Sequence, residues 1–247
     1  MFKKQYGLVG KNIDYSFSKT YFTEKFSKDA IFEDCEYQNF DISKIEKFTE
    51  IITSNPDLKG FNVTIPYKET VIPYLNKLSK KATKIGAVNV IRFTKKGNLK
   101  GYNSDYYGFK KALKPLLQTH HKQALILGTG GAAKAVAFAL EELDILFTYV
   151  SREKKDNTID YKRINLTTFD NYQIIINCTP LGTSPKTEEY PNIPYEFFTN
   201  KHIAFDLIYN PEETLFLKKA KKFGATTKNG MEMLVFQAEK AWEIWNR

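Results

Sequence analysis

Cysteine and histidine are scarce in this sequence, which limits the kinds of site that it can build. The 247 residues include two cysteines, Cys35 and Cys178, and three histidines, of which His120 and His121 are adjacent. The cysteines are far apart along the chain, and no group of these residues shows metal-ligand spacing. The sequence therefore predicts neither a disulfide framework nor a metal site.

Long apolar runs are absent as well. The longest ones fall far short of the roughly 20 residues that a membrane-spanning helix needs. The start of the chain, MFKKQYGLVG, shows neither the apolar core nor the cleavage site of a secretory signal. We therefore expect a cytoplasmic protein without a membrane partner.

Basic residues outnumber acidic ones by 37 to 28, which gives a formal charge of +9. The lysines occur as scattered pairs and form no single basic tract with interleaved aromatic residues, so no nucleic-acid partner is expected. A positive surface still steers an anionic cofactor and a carboxylate substrate toward the protein. From charge alone, a nucleic-acid-binding protein remains the alternative.

Short apolar segments alternate with helical patterns in the first part of the chain, which is typical of a parallel α/β sheet. The sequence predicts strands at 6–9, 37–42 and 60–63, and helices at 18–28 and 43–54. Segments 87–93 and 99–103 flank a turn-like stretch and predict a hairpin. The pattern changes after this hairpin, and we place a domain boundary there.

A second series of strands and helices begins at Ala124. It comprises predicted strands at 124–127, 145–150, 173–177 and 203–207, and a helix at 132–143. The last segment, 231–245, has apolar residues at helical spacing, which predicts a helix that packs on a domain. We expect this helix to return to the first of two α/β domains.

A glycine-rich segment, GTGGA at 128–132, lies between a predicted strand and a predicted helix. Glycines at such a turn let the backbone approach a ligand closely, and free N–H groups at the start of the helix can hold a pyrophosphate. The segment is a variant of the usual GxGxxG pattern, and glycine here could also serve strand-to-helix packing. Its position between strand and helix favours dinucleotide binding.

The next predicted strand ends in Ser151-Arg152-Glu153, which Lys154 and Lys155 follow. NAD enzymes usually place an acidic residue here to bind the ribose hydroxyls. An arginine suits the 2′-phosphate of NADP, which its guanidinium can bind through two parallel hydrogen bonds. The segment therefore predicts NADP(H) as the cofactor, although Glu153 adds an unfavourable charge.

Two segments of the first half contain candidate catalytic side chains. Lys68 follows the strand-like GFNVTIP, and side chains at strand ends line ligand clefts in α/β sheets. Asp105 lies in GYNSDYYG, before a helical pattern. Taken alone, Lys68 would be a surface lysine and Asp105 a helix cap, and their spacing does not pair them.

Taken together, these segments resemble the shikimate dehydrogenase family over nearly the whole chain. In chain order, the matching segments are SFS at 16–18, NVTIPYK at 62–68, GAVN at 86–89, NSD at 103–105, GTGGAA at 128–133, SR at 151–152, NCTPLG at 177–182, DLIYNP at 206–211 and GMEMLVFQ at 230–237. The resemblance implies a substrate domain of residues 1–105 with 231–247, a Rossmann-like NADP-binding domain of residues 106–230, and an active site in the cleft between them.

The resemblance also implies an activity. This is the reversible NADPH-dependent reduction of 3-dehydroshikimate to shikimate, in the shikimate pathway to chorismate and the aromatic amino acids. Lys68 and Asp105 are the implied catalytic pair. The implied substrate ligands are Ser16, Ser18, Thr64, Lys68, Asn89, Asp105, Tyr209 and Gln237. The implied cofactor ligands are Gly128, Thr129, Gly130, Gly131, Ala132, Ser151, Arg152, Thr179, Leu207 and Gly230.

Several of these residues also have structural interpretations. The serines could cap a helix, Tyr209 could pack at a strand end, and Gln237 could be a polar position on a core-facing helix.

Two segments depart from the family. Where members often read GxPIxHSxSP, residues 10–19 read GKNIDYSFSK, which keeps the serines but lacks both prolines and the histidine. The turn Ser-Arg-Glu also replaces the common Asn-Arg-Thr, so the threonine hydroxyl that could help to hold the 2′-phosphate is missing at position 153.

Two related functions remain open at this point. A quinate/shikimate dehydrogenase would accept the extra hydroxyl of quinate and often prefers NAD, which Arg152 disfavours. A non-catalytic dinucleotide-binding regulator could keep the glycine segment but would not need Lys68 and Asp105. The expected partners are a small-molecule substrate and, at most, a second copy of the chain in a homodimer.

Overall fold

The computed structural model describes residues 4–14, 16–153 and 158–247. The chain divides into two compact units, and each has its own sheet. The first unit runs to Ser104 and resumes at Ala238–Arg247, and the second is Asp105–Gln237. Within these described ranges, no helix is long and apolar enough to cross a membrane.

Strands and helices alternate in the first unit until the chain reaches a hairpin. The strands are β1 (Lys4–Gly10), β2 (Cys35–Asp41), β3 (Leu58–Val63), β4 (Lys77–Leu78), β5 (Val90–Phe93) and β6 (Leu99–Tyr102). The helices are α1 (Phe17–Ser27), α2 (Phe48–Ser54), α3 (Tyr67–Thr70) and α4 (Lys80–Ile85). The Ser79 side chain caps α4, and Gly86 ends it with φ 70°, a left-handed conformation that glycine adopts without strain.

The first sheet has the strand order β2-β1-β3-β5-β6-β4. Strand β1 is parallel to both β2 and β3, as the alternation of strands and helices predicts. Strand β5 is antiparallel to both β3 and β6. The sheet is therefore mixed, because the predicted hairpin, β5 and β6, adds to the edge of β3.

Apolar side chains cover both faces of this sheet. Successive residues of β1 alternate between the faces, with Leu8 in one buried cluster and Val9 in the other. The Trp245 indole N–H donates to the Ile91 carbonyl at 3.0 Å, which fixes the end of the last helix on the Leu8 face. A Cβ at Gly60 would lie 2.3 Å from this indole, so the close packing requires glycine at that position of β3.

The second unit is a parallel sheet with helices between its strands. The strands are β7 (Gln123–Leu127), β8 (Leu146–Val150), β9 (Thr158–Ile159), β10 (Ile174–Asn177), β11 (Ile203–Asp206) and β12 (Thr226–Lys228). The helices are α5 (Asp105–Leu113), α6 (Gly131–Glu141), α7 (Leu166–Asn171), α8 (Leu215–Lys222) and α9 (Met231–Trp245), whose last residues belong to the first unit. The strand order is β12-β11-β10-β7-β8-β9. The central strands β7 and β10 are almost wholly buried apolar residues, as in sheets covered on both faces.

Candidate active site

The carboxyl ends of β1 and β3 lie side by side, at the point where the strand order of the first sheet reverses. The chain passes from β1 out to β2 and then returns to β3 on the opposite side of β1. Open α/β sheets bind ligands at such points. Ser16, in the loop after β1, and Ser18, at the start of α1, follow β1, and the segment after β3 contains Thr64 and Lys68. Asn89 precedes the antiparallel β5, and residues 103–104 follow β6, so they reach the same edge. These residues are termed the carboxyl edge of the first sheet.

The loop after β1 is held by an aspartate at the end of the neighbouring strand. The N–H groups of Asn12 and Ile13 donate to the Asp41 carboxylate at 3.1 and 3.0 Å. Asn12 stands where family members often have proline, and it has φ 56°, which asparagine tolerates. A proline would lack the N–H that Asp41 binds. Asp41 therefore holds the part of the loop in which this chain departs from the family pattern.

Both serines of the SFS segment interact with other groups of the protein. Ser16 is the N-cap of α1, and its hydroxyl oxygen accepts a hydrogen bond from the Lys19 N–H at 3.3 Å. The capping role expected as the alternative is therefore present for Ser16, and it uses a lone pair, so the hydroxyl proton stays available for donation. Burial raises the pKa of Tyr37, and the side chain of Ser18, the second residue of α1, acts in the opposite direction.

Buried amide side chains connect the remaining segments of this edge. Asn89 accepts a hydrogen bond from the Ser104 N–H at 2.6 Å and donates one to the Ser104 hydroxyl at 3.0 Å. The Asn103 amide donates to the Ala87 carbonyl at 3.1 Å, and the Asn62 amide donates to the Asn89 carbonyl at 3.2 Å. Sequence reasoning did not identify Asn62 as part of the site, although it begins the NVTIPYK segment.

The predicted catalytic residues lie at different points of the fold. Lys68 is half-buried in α3, and its carbonyl accepts a hydrogen bond from the Val88 N–H at 2.7 Å, which fastens α3 to the segment before β5. Asp105 directly follows Ser104, is buried, and is the first residue of α5. Lys68 therefore belongs to the first unit, and Asp105 begins the second.

The carboxyl ends of β7 and β10 form the corresponding reversal point of the second sheet. The chain leaves β7 for β8 on one side and later returns to β10 on the other. Gly128, in the loop after β7, has φ 103°, and a Cβ there would lie 3.3 Å from the Thr179 methyl in the loop after β10. Gly130 is the N-cap of α6 and would have nothing within 4 Å of an added Cβ. The glycine loop therefore presents open backbone at a helix start, which suits a pyrophosphate.

Ser151 and Arg152 follow β8, the strand next to β7. The Ser151 hydroxyl accepts the Glu153 N–H at 3.1 Å and so closes the turn. Arg152 is exposed. Burial raises the pKa of Tyr161 to about 12, and the positive charge of Arg152 acts in the opposite direction. Two further residues predicted to support the phosphate site, Lys154 and Lys155, lie outside the described residues.

A buried carboxylate connects the loops that follow β10 and β11. Asp206 accepts hydrogen bonds from the Asn177 amide at 3.1 Å, the Ile208 N–H at 3.0 Å and the Thr214 hydroxyl at 2.6 Å. Asn177 in turn accepts the N–H and the hydroxyl of Thr179 at 3.0 and 2.6 Å. Asp206 and Asn177 were missed by sequence reasoning, yet they fix the conformation around Thr179.

The other predicted ligands of this unit lie in the last loops and in α9. A Cβ at Gly230 would lie 2.1 Å from the Leu207 carbonyl oxygen, so these two predicted cofactor ligands are in direct contact. Gln237 is buried in α9, and its Cβ would lie 3.1 Å from a Cβ added to Gly108, one turn after the start of α5. Tyr209 is half-buried in the loop after β11.

Asp206 is expected to make stability depend on pH. Burial raises the pKa of Asp206 from 3.8 to about 6, against the lowering effect of its three hydrogen bonds. Between these values the unfolded chain releases the proton while the folded chain keeps it. The free energy of unfolding should therefore fall as pH rises from about 4 to about 6, by up to about 3 kcal/mol, and this contribution should then level off.

Urea unfolding of the wild type and Asp206→Asn at about pH 4 and about pH 7 tests this expectation. The asparagine keeps an oxygen acceptor but does not titrate, so the variant should lose this component while other carboxyl groups contribute equally to both proteins. The same pH dependence in both proteins would show that Asp206 does not have the raised pKa.

The second unit is a Rossmann-like dinucleotide-binding unit. Its parallel sheet has a glycine loop at the reversal point, and an arginine follows the neighbouring strand. In the first unit, a model of the shikimate dehydrogenase substrate binding domain matches residues 8–91. The shikimate dehydrogenase (NADP(+)) of Methanosphaera stadtmanae is 39% identical over an alignment of 258 positions, which covers 97% of this chain and 90% of that protein. The chain belongs to the shikimate dehydrogenase family.

Solved structures resemble the chain over its whole length. A chorismate mutase/shikimate 5-dehydrogenase fusion protein from Clostridium acetobutylicum is 37% identical with a TM-score of 0.86, covering 100% of this chain and 92% of that one. Shikimate 5-dehydrogenase from Thermus thermophilus, in complex with NADP(H) and shikimate, is 28% identical with a TM-score of 0.84, covering 98% and 92%. The predicted α/β fold with a Rossmann-like unit is confirmed.

Proposed function

We propose that this chain catalyses the reversible NADPH-dependent reduction of 3-dehydroshikimate to shikimate, on the route to chorismate and the aromatic amino acids. One observation supports it most directly: the chain combines a glycine loop at the reversal point of one sheet with a hydrogen-bonded polar edge at the reversal point of the other. The relative from Methanosphaera stadtmanae is a shikimate dehydrogenase (NADP(+)), and the Thermus thermophilus structure contains NADP(H) and shikimate.

The second unit fits a dinucleotide phosphate. The open backbone at Gly130 and the start of α6 suit the pyrophosphate, with Gly128, Thr129, Gly131 and Ala132 completing the loop. Ser151 and Arg152 would hold the 2′-phosphate, since an exposed guanidinium can bind it through two hydrogen bonds. The cofactor ligands proposed for the remaining loops are Thr179, Leu207 and Gly230.

The first unit supplies most of the proposed substrate ligands. Ser16 and Ser18 would donate to the substrate carboxylate, and Thr64 and Asn89 would bind ring hydroxyls. Asp105, Tyr209 and Gln237, all in the second unit, are the other proposed ligands. A site that bonds each hydroxyl of a polyol acid rejects analogues that leave its own polar groups unpaired, which is the proposed basis of specificity.

Proton transfer is assigned to Lys68 and Asp105. Bound NADPH would supply a hydride to C3 of 3-dehydroshikimate. The Lys68 ammonium would donate a proton to the carbonyl oxygen as negative charge develops there, and the same group would take it back in the reverse direction. Asp105 would orient Lys68 and share its proton.

The remaining proposals concern domains, partners and location. We infer that residues 1–105 with 231–247 form the substrate domain and residues 106–230 the cofactor domain. The match of the substrate-binding family model to residues 8–91 supports the first assignment. We also propose that the protein acts in the cytoplasm as a monomer or homodimer, without a nucleic-acid partner.

The reaction is tested by following the reduction of NADP and of NAD by the purified chain with shikimate and, separately, with quinate. Shikimate with NADP is expected to give the highest kcat/KM. Comparable rates with quinate and NAD would instead identify a quinate/shikimate dehydrogenase. Bound NADP without turnover on any pair would favour a non-catalytic dinucleotide-binding regulator and reject the proposed reaction.

A further inference from the structure

A buried carboxylate that the proposed mechanism does not use lies beside the reversal point of the second sheet. Asp206 ends β11 and Asn177 ends the neighbouring β10, and both side chains are 0% exposed. The two strands are parallel, and these two residues are partners in their register, so the side chains meet. Oδ1 of Asp206 accepts a hydrogen bond from the Asn177 amide at 3.1 Å. A carboxylate removed from water in this way needs such partners.

Asn177 connects this carboxylate to a proposed cofactor ligand. Its amide nitrogen donates to Asp206 at 3.1 Å and to the Leu181 carbonyl at 3.4 Å. An ionised carboxylate only accepts hydrogen bonds, so the nitrogen of Asn177 must face Asp206 and its oxygen must face Thr179. That oxygen accepts the Thr179 N–H at 3.0 Å and the Thr179 hydroxyl at 2.6 Å. Asp206 therefore determines which atom of Asn177 meets Thr179.

The two hydrogen bonds to Asn177 also decide what Thr179 can offer a cofactor. Thr179 gives both its N–H and its hydroxyl proton to Asn177, so neither donor is left for a phosphate oxygen. Its carbonyl and its methyl group remain. A Cβ added to Gly128 of the glycine loop would lie 3.3 Å from this methyl group. The Thr179 methyl therefore lies against the glycine loop, in a position that depends on Asn177.

The same carboxylate oxygen holds the loop after β11. The Ile208 N–H donates to Asp206 Oδ1 at 3.0 Å. The Ile208 carbonyl in turn accepts the Gly230 N–H at 2.9 Å, and Gly230 is in direct contact with the Leu207 carbonyl. Oδ1 of Asp206 is therefore connected, through Asn177 and Ile208, to the three loop residues proposed as further cofactor ligands, which are Thr179, Leu207 and Gly230.

The other oxygen of Asp206 holds a different part of the unit. Oδ2 accepts the Thr214 hydroxyl at 2.6 Å. Thr214 is the N-cap of α8, and its oxygen accepts the Leu217 N–H at 3.4 Å. None of the proposed ligands belongs to α8. Loss of the Thr214 hydroxyl should therefore lower stability without moving a cofactor ligand.

We propose that Asp206 is a positioning residue for the cofactor, which acts through Asn177 and Ile208 without contacting the cofactor itself. This inference rests on the proposed function, since it assigns Asp206 to the support of the proposed cofactor ligands. Groups held by fixed neighbours bind a ligand better than groups left to adopt several conformations. The 2′-phosphate is assigned to Ser151 and Arg152, so loss of the support from Asp206 should weaken the binding of NADPH and NADH alike.

The test compares Asp206→Ala with Asp206→Asn at about pH 8, above the pKa of Asp206. Titration with NADPH and with NADH, followed by nicotinamide fluorescence, gives a dissociation constant for each cofactor. Asp206→Ala is expected to raise both constants about tenfold, as for the loss of a buried hydrogen bond, and to leave their ratio unchanged. Asp206→Asn should stay within about twofold of the wild type, because its amide oxygen still accepts from Asn177 and Ile208.

Two further variants separate positioning from general loosening. Asn177→Ala leaves Asp206 in place and removes the partner of Thr179, so it should raise both dissociation constants about threefold or more, even where Asp206→Ala does not fold. Thr214→Val is the matched control, because it removes a hydroxyl from the other oxygen of the same carboxylate. It should lower the melting temperature and leave both dissociation constants within about twofold of the wild type.

Unchanged dissociation constants in Asn177→Ala and in a folded Asp206→Ala would overturn the proposal. An equal rise in Thr214→Val, or a loss in Asp206→Asn as large as that in Asp206→Ala, would overturn it as well. A wild type that binds neither cofactor would reject the proposed cofactor site, and the role of Asp206 would fall with it. A wild type that binds NADPH but does not oxidise shikimate would reject the proposed reaction alone, and the binding comparison would still decide the role of Asp206.

Discussion

Replacing Lys68 by alanine is expected to lower kcat for shikimate oxidation by roughly 10²-fold or more, with the fold retained. The reason is that the proposed proton carrier is lost, so the alcohol must give its proton to water while the hydride leaves. The lysine is half-buried in the short helix after β3, and its backbone carbonyl binds Val88, so removal of the side chain leaves this backbone contact in place. Steady-state rates over a range of shikimate concentrations give kcat and KM separately.

The matched control is Lys59→Ala. Lys59 is an exposed lysine near the start of β3, so its replacement makes the same change of charge away from the carboxyl edge. Its kcat should stay within about twofold of the wild type, as expected for a surface substitution. A Lys68→Ala enzyme as active as Lys59→Ala would remove Lys68 from the proposed mechanism.

Replacing Arg152 by alanine is expected to raise the KM for NADP by roughly 10- to 100-fold and to leave the KM for NAD nearly unchanged. The 2′-phosphate is the chemical difference between the two cofactors, and hydrogen bonds to a charged group are the strong ones. Arg152 is exposed at the end of β8 in a turn that Ser151 closes through its own hydroxyl, so the turn should survive the substitution.

Arg163→Ala is the control for this prediction. Arg163 is an exposed arginine of the same unit, in the turn Tyr161–Arg163, and its loss changes the net charge equally. Initial rates with both cofactors should separate the two variants. Equal losses with NADP and NAD in Arg152→Ala would contradict the assignment of this arginine to the 2′-phosphate.

Local sequence patterns located the central strands of both sheets and the edge strand β2, but not the edge strands β4, β9 and β12. The buried runs that form β7 and β10 are recognisable because every position except Gln123 and Asn177 is apolar. Strands β4, β9 and β12 are only two or three residues long, and each depends on pairing with a neighbouring strand. Helix α8 was missed because its sequence is rich in lysine, although Phe216, Leu217 and Ala220 give it a buried face.

In the candidate site, too, the sequence indicated some residues and gave no sign of others. Family motifs indicated the residues at the two reversal points, and their roles stay predictions until they are measured. Tyr37, Asn62 and Asp206 could not be recognised, because the residues next to them in sequence do not show which distant side chains they meet. Their partners are distant: the Tyr37–Asn62 hydrogen bond spans 25 positions and the Asn177–Asp206 hydrogen bond spans 29. Only the folded sheet shows why a polar side chain is stable there.

The most direct test of the central claim is to add 3-dehydroshikimate to the purified chain with NADPH and to measure the NADPH consumed and the shikimate formed. The account predicts one shikimate for each NADPH oxidised, and little consumption when 3-dehydroshikimate is omitted or when NADH replaces NADPH. Retention of NADPH by a folded protein that produces no shikimate would contradict it.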